Sequence, residues 1–233
     1  MAAQQASVLD VLRMRVGRTL REARQGREPP APLLDLAVRS VALPGGSVVL
    51  VRPRDWTALL DAERKAGRDA PFWAATWPSG EELARVVAKA PLRGRHVLDL
   101  GCGLGLAGIA AARNGADVLV VDANADAVTF AAENLALNGV DGRAATCSWA
   151  DPALAAGGPF DLVIGGDILY SRAGAQALLE RLPALVGGGG EAWLTDPGRA
   201  AAEATLEAAR ATWTVRSQSL RDEVVLHRLR RRL

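Results

Sequence analysis

Apolar residues at Val8, Leu12, Val16 and Leu20 recur every fourth position and predict a helix within residues 1–28. Glu28-Pro29-Pro30-Ala31-Pro32 ends it, because consecutive prolines cannot continue a helix. Leu36–Leu43 and Ser47–Val51 flank Pro44-Gly45-Gly46 and predict a β-hairpin. Over Arg54–Gly67, Trp56, Leu59, Leu60 and Glu63 fall at helical spacing. From Arg95 onward short apolar strands alternate with alanine-rich helices: His96–Leu100 with Leu104–Asn114, then Asp117–Val121 with Ala125–Asn138. Arg143–Cys147, Asp161–Gly165 and Glu191–Thr195 follow as strands, with helices near Gly174–Val186 and Arg199–Arg210. Such alternation predicts βαβ units on a doubly wound parallel sheet. Trp213–Ser217 and Glu223–Leu229 are joined by so short a turn that they must pair antiparallel. The expected architecture is thus α/β and Rossmann-like: a seven-stranded sheet, mostly parallel, with a C-terminal antiparallel hairpin. Residues 1–32 form a basic N-terminal arm, 33–72 a hairpin-and-helix extension, and 73–233 the main domain.

Composition narrows the function. The chain has 233 residues, enough for a substantial core. Its 28 basic and 26 acidic residues leave a net charge of +2, which gives no electrostatic basis for a nucleic-acid partner. Cys102 and Cys147 are too far apart in sequence for a CxxC site, and His96 and His227 cannot form a histidine-rich metal centre, so no metal is expected. The longest apolar candidate, Leu104 to Ala123, is interrupted by Arg113, Asp117 and Asp122, so no membrane span is expected. Arg13, Arg15, Arg18, Arg21, Arg24 and Arg27 occupy the place where a secretory signal would be apolar, and Asp10 and Glu22 count against a mitochondrial transit peptide. The arm reads as a solvated basic helix on a cytoplasmic protein.

The strand Val97–Leu100 runs into Gly101-Cys102-Gly103-Leu104-Gly105, a glycine-rich turn that lets backbone approach a ligand closely. A dinucleotide fingerprint would carry its third glycine at position 106, which is Leu106. Asp99 at the strand end would repel a pyrophosphate, whereas S-adenosylmethionine has no phosphate and carries an ammonium and a sulfonium. At roughly 4 Å and an effective dielectric near 20, each such opposite-charge pair is worth about 4 kcal/mol before desolvation. Asp122 closes the second strand where a carboxylate accepts ribose hydroxyls, a feature that NAD sites share. Trp149 is placed to pack on the adenine and Asp151 to accept from its amine; the alternative is a core tryptophan and a turn cap before Pro152. Cys102, with no histidine or lysine near it in sequence, reads as a small buried filler.

After the fourth strand, Gly166-Asp167-Ile168-Leu169-Tyr170 sets an acid and an aromatic three residues apart, on one face of a short helical turn. That pair suits a positively charged amine: the carboxylate orients it and the ring contributes about 0.5–2 kcal/mol of cation–π attraction. The competing assignment makes Asp167 a helix cap and Tyr170 packing. Pro71 to Gly80, with Trp73 and Trp77, reads either as a lid or as docking of the N-terminal segment on the sheet.

The run Phe72–Leu83, the Asp99–Gly105 loop, Gly166–Tyr170 and Asp196-Pro197-Gly198-Arg199 together resemble the electron transfer flavoprotein beta-subunit lysine methyltransferases, over roughly residues 33–233. That family has the class I methyltransferase fold. The resemblance implies that Trp77, Asp99, Gly101, Asp122 and Trp149 contact S-adenosylmethionine, with Gly103, Gly105 and Asp151 in the same cofactor site. It also implies that Asp167 and Tyr170 line the lysine channel, with electron transfer flavoprotein as the protein partner. Ile168-Leu169 departs from a more aromatic version of the motif. Alternatives are a small-molecule N-methyltransferase acting on an amine or pyridine, and a non-catalytic binding module; an NAD-dependent oxidoreductase is disfavoured by charge.

Overall fold

The structure is a computed structural model that describes residues 2–232. Helix α1 (Ala2–Ala23) leads to the short α2 (Ala31–Leu34), the hairpin β1 (Leu36–Leu43) and β2 (Gly46–Pro53), and α3 (Trp56–Lys65). A 3-10 turn (Phe72–Ala74) and α4 (Pro78–Val87) precede the main sheet. There β3 (His96–Leu100), α5 (Leu106–Arg113), β4 (Asp117–Asp122), α6 (Ala125–Leu137), β5 (Arg143–Thr146) and β6 (Phe160–Gly166) follow in turn. The chain closes with α7 (Arg172–Leu185), β7 (Val186–Asp196), α8 (Ala200–Ala209), β8 (Trp213–Ser219) and β9 (Val225–Arg231).

The seven-stranded sheet has the order β5-β4-β3-β6-β7-β9-β8, parallel except that β9 runs antiparallel to both β7 and β8. The winding direction reverses between β3 and β6, and ligands of such sheets bind outside the strand ends at this reversal. Strand alternation divides the core into two layers. Val97 faces a layer shared with α4, α5, α6 and the N-terminal segment, while Leu98 and Leu100 face α7 and α8. β7 begins five residues earlier than the periodicity predicts, because the Gly187–Gly190 run, which carries no side chains to mark a face, extends the strand.

The N-terminal segment is part of this architecture. Leu12, Val16 and Leu20 are buried in the same cluster as Phe130 and Leu135 of α6, whereas Val8 stands exposed. The expected solvated arginines are exposed at Arg13, Arg15, Arg18 and Arg21 and, past the end of α1, at Arg27, but Arg24 is not. Arg24 Nε donates to Asp126 Oδ1 at 2.9 Å and its Nη2 reaches Asp126 and Glu63, two buried carboxylates. The hairpin is tied down by two amides one helical turn apart, Asn134 on α6 and Asn138 at its C-cap. Asn134 bonds the N–H and carbonyl of Val51 at 2.7 and 3.2 Å, and Asn138 those of Val49 at 3.0 and 2.7 Å. These side chains satisfy backbone groups that a strand edge would otherwise leave open. Among the described residues no helix is long and apolar enough to cross a membrane.

Candidate active site

The ends of β3, β4 and β6 and the segment before α4 enclose a cavity of about 490 Å³, within the usual range for small-molecule sites. Its floor is Gly101–Leu104 of the glycine turn; Gly105, expected in the cofactor site, does not line the cavity and packs instead against Ala131 of α6. Gly101, Gly103 and Gly105 all have positive φ (65°, 52° and 80°), a conformation that costs a side-chain-bearing residue about 1–2 kcal/mol. At Gly103 a Cβ would also stand 3.2 Å from the Trp73 carbonyl oxygen. The turn is latched to the neighbouring strand: Cys102 N–H donates to the Val121 carbonyl at 2.9 Å and Gly103 N–H to Asp122 Oδ2 at 3.0 Å. Asp122 Oδ1 accepts from Asn124 N–H at 2.9 Å, so the carboxylate is fixed through both oxygens at the cavity wall. Burial pushes its pKa upward against these bonds. Burial, with Asp99 and Asp122 nearby, also drives the Cys102 thiol well up, which leaves it unreactive as a nucleophile.

Asp99 lies elsewhere than expected. It is 2% exposed, does not line the cavity, and directs Oδ2 to the Gly108 N–H at 2.8 Å in the first turn of α5. The cause is strand alternation: Asp99 shares the face of Val97 and so points at α5. Burial pushes its carboxyl up to about 7, only partly offset by the Gly108 bond. Asp151 is also absent from the cavity; it is exposed and caps the 3-10 turn Pro152–Gly157 through the Ala153 N–H at 2.8 Å. Trp149 does line the cavity, with its ring edge 3.6 Å from where a Gly101 Cβ would stand.

The segment 71–80 forms one wall. Pro78 opens α4 at a position where no backbone donor is needed, and Gly80 sits so close to β6 that a Gly166 Cβ would stand 2.9 Å from its Cα. The Thr195 hydroxyl donates to the Ser79 carbonyl at 2.8 Å and pins the segment to β7. Trp77 borders the cavity with its indole N–H on the Phe72 carbonyl at 2.8 Å, and Trp56, Phe72 and Trp77 pack with ring centroids 6.2–6.4 Å apart.

Asp167 and Tyr170 both border the cavity, but no helical turn joins them. Asp167 adopts φ +59°, its N–H donates to the Thr195 carbonyl at 2.8 Å, and Ile168 and Leu169 drop into the core. Ser171, not Asp167, caps α7. The Asp167 carboxylate is paired with the Arg199 guanidinium, which also lines the cavity. Asp196 shapes the turn that carries Arg199. Its Oδ1 accepts from Gly198 and Arg199 N–H at 2.7 and 2.8 Å, and His227 Nε2 lies 2.8 Å from its Oδ2. Burial would raise the Asp196 pKa, but the His227 bond and the two N–H groups outweigh it and hold it below the ordinary range.

The sequence profile of the lysine methyltransferase family matches residues 64–205, more than half of the chain. The chain belongs to this family. It is 35% identical over 134 residues to the electron transfer flavoprotein beta subunit lysine methyltransferase of Danio rerio, covering 56% of the chain and 51% of that protein. Over 111 residues it is 37% identical to EEF1A lysine methyltransferase 3 of Mus musculus, 46% of the chain and 47% of that protein. The chain therefore spans about half the length of the curated relatives it matches. Among solved structures, the 16S rRNA N2 G1207 methyltransferase of T. Thermophilus, in complex with AdoMet and guanosine, superposes with a TM-score of 0.65 at 22% identity. That alignment covers 88% of the chain and 53% of the other and establishes the class I methyltransferase fold. In this family member the matched span contains the glycine turn, Asp122, Asp167 and Arg199, while α1 and the β1–β2 hairpin precede it. Sequence reasoning did not single out Arg199 from its motif, nor that the carbonyl of Trp73 abuts Gly103. The signal for Arg199 was its place just past the carboxyl end of a strand in a doubly wound sheet.

Proposed function

We propose that the chain is an S-adenosylmethionine-dependent protein-lysine N-methyltransferase acting on the beta subunit of electron transfer flavoprotein. The observation that carries this reading is a single cavity bordered by Asp122 with the glycine turn and by Asp167 with Tyr170, in a chain of the lysine methyltransferase family. The residues present fit the cofactor. A carboxylate offers about four lone-pair sites, and Asp122 uses two on backbone, leaving acceptors for a ribose diol. Trp149 offers an aromatic face for adenine. Asp69, Glu81, Asp122 and Asp167 against Arg199 make the described wall net acidic, which favours a cationic guest. The helix N-terminus where a pyrophosphate would sit is already served by Asp99 on the Gly108 N–H.

When bound, the cofactor supplies a methyl group activated by a sulfonium. In this reading Asp167 orients the substrate amine, and Tyr170, which borders the same cavity, supplies a ring for the amine's methyl groups. A free lysine must first lose a proton, at about 4–5 kcal/mol from a pKa near 10.4 at neutral pH, and desolvation in the cavity lowers that pKa. The choice of substrate is supported by relatives named for protein lysines, the Danio rerio protein for electron transfer flavoprotein among them. Incubated with the methyl donor, purified electron transfer flavoprotein should gain mass in steps of one methyl group on lysine. A flavoprotein of unchanged mass, with methylation of a small amine or pyridine instead, would refute the protein substrate.

A further inference from the structure

Strands β6 and β7 end side by side, and the turns that leave them are joined twice. The Asp167 N–H is bonded to the Thr195 carbonyl, and the Asp167 carboxylate is paired with Arg199. The backbone of Arg199 is not free to drift, since the fully buried Asp196 holds the 198 and 199 N–H groups and is itself held by His227. The carboxylate assigned to receive a substrate ammonium thus carries a permanent cation beside it, because a guanidinium does not lose its proton. Among the described residues lining the cavity, Arg199 is the one cation against four carboxylates. Resting on the methyltransferase reading above, we propose that Arg199 acts through Asp167 as a positioning residue that keeps the substrate lysine in its neutral, nucleophilic form.

Charge balance at Asp167 decides the protonation state of the amine. A carboxylate alone beside the amine raises its pKa and holds the proton that must leave. The other acidic groups that line the same cavity, Asp69, Asp122 and Glu81, act in the same direction. Glu81 is spent on Arg39, at 2.6 Å, and on Arg85. Asp196 lies behind Arg199 and is paired with His227. With Arg199 in place, Asp167 keeps an oxygen to accept a hydrogen bond from the amine but little net attraction for its positive charge. The ammonium gives its proton to water, and Asp167 orients the free base by that hydrogen bond.

The test compares wild type with Arg199→Gln and Arg199→Met, which remove the charge, and Arg199→Lys, which keeps it. Initial rates on electron transfer flavoprotein are measured from pH 6 to pH 10, and affinity for that protein without methyl donor by calorimetry at pH 7. Removing the charge paired with Asp167 should move the acid limb of kcat to higher pH by about 1–3 pH units. It should therefore cut kcat at pH 7 by about tenfold or more and restore it at alkaline pH. Affinity at pH 7 should hold or tighten, and Arg199→Lys should keep the wild-type profile. A loss by the same factor at every pH, or weakened binding, overturns the proposal and leaves Arg199 as mere support for Asp167. Wild-type protein that methylates no lysine at any pH overturns the underlying reading instead.

Discussion

Replacing Asp99 by asparagine removes a buried charge while keeping its shape and, through the amide oxygen, an acceptor for the Gly108 N–H. In the native protein this carboxyl is 2% exposed and burial pushes it up to about 7, against about 3.9 in an unfolded chain. Between those two values the folded state binds a proton that the unfolded state has lost. The group's contribution to stability therefore falls as pH rises through this window and levels off above about 7. At about 1.36 kcal/mol per pH unit, the total penalty is on the order of 4 kcal/mol, of which about 2–3 kcal/mol accrues between pH 5 and pH 8. Asp99→Asn does not titrate, so its stability relative to wild type should improve by that amount on going from pH 5 to pH 8. Urea unfolding followed by tryptophan fluorescence at the two pH values measures it, and Asp122 and Asp196 titrate in both proteins and largely cancel. An equal stability difference at both pH values would show that Asp99 is not held protonated by burial.

Asp122→Ala removes an acceptor for ligand hydroxyls and the latch on Gly103. S-adenosylmethionine affinity should fall by about 1.5–3 kcal/mol, the worth of hydrogen bonds to a charged group; unchanged affinity by calorimetry would remove Asp122 from the site. Asp167→Ala should abolish methyl transfer while cofactor affinity stays within a few-fold; if both are lost, Asp167 is a structural or cofactor residue. Arg24→Ala leaves the buried Asp126 without its cation, while Glu63 keeps Arg68. It should cost about 3–5 kcal/mol of stability in urea, whereas a change near zero would mean that α1 does not depend on this cluster.

The strand and helix pattern from His96 to Arg210 was readable because periodicity and turn residues agree there, and because buried parallel strands admit few other residue types. The glycine turn was readable for the same reason, since close approach and positive φ leave glycine as the residue that fits. What periodicity does not carry is which layer packs on which strand face. Asp99 stood in sequence at the mouth of a nucleotide site, yet its parity with Val97 sends it to the N-terminus of α5. There it still disfavours a phosphate, but by occupying the N–H rather than by meeting the ligand. Asp151 illustrates a local preference that prevails, an acid followed by proline capping its own turn. The Arg199–Asp167 pair and the Arg24 cluster depend on contacts 32 and 102 residues apart in sequence, which only the sheet order and the docking of α1 create. Val8 continued the helical stripe in sequence but lies beyond the stretch of α1 that packs on α6.

An acid-walled cleft, with the Gly108 N–H of its helix N-terminus already bonded to Asp99, admits a cationic nucleoside and refuses a dinucleotide. Calorimetric titration of the protein with S-adenosylmethionine and, separately, with NAD under the same conditions tests it most directly. S-adenosylmethionine should bind saturably at one site, and NAD should give no binding heat. Saturable binding of NAD, with S-adenosylmethionine giving none, would contradict it.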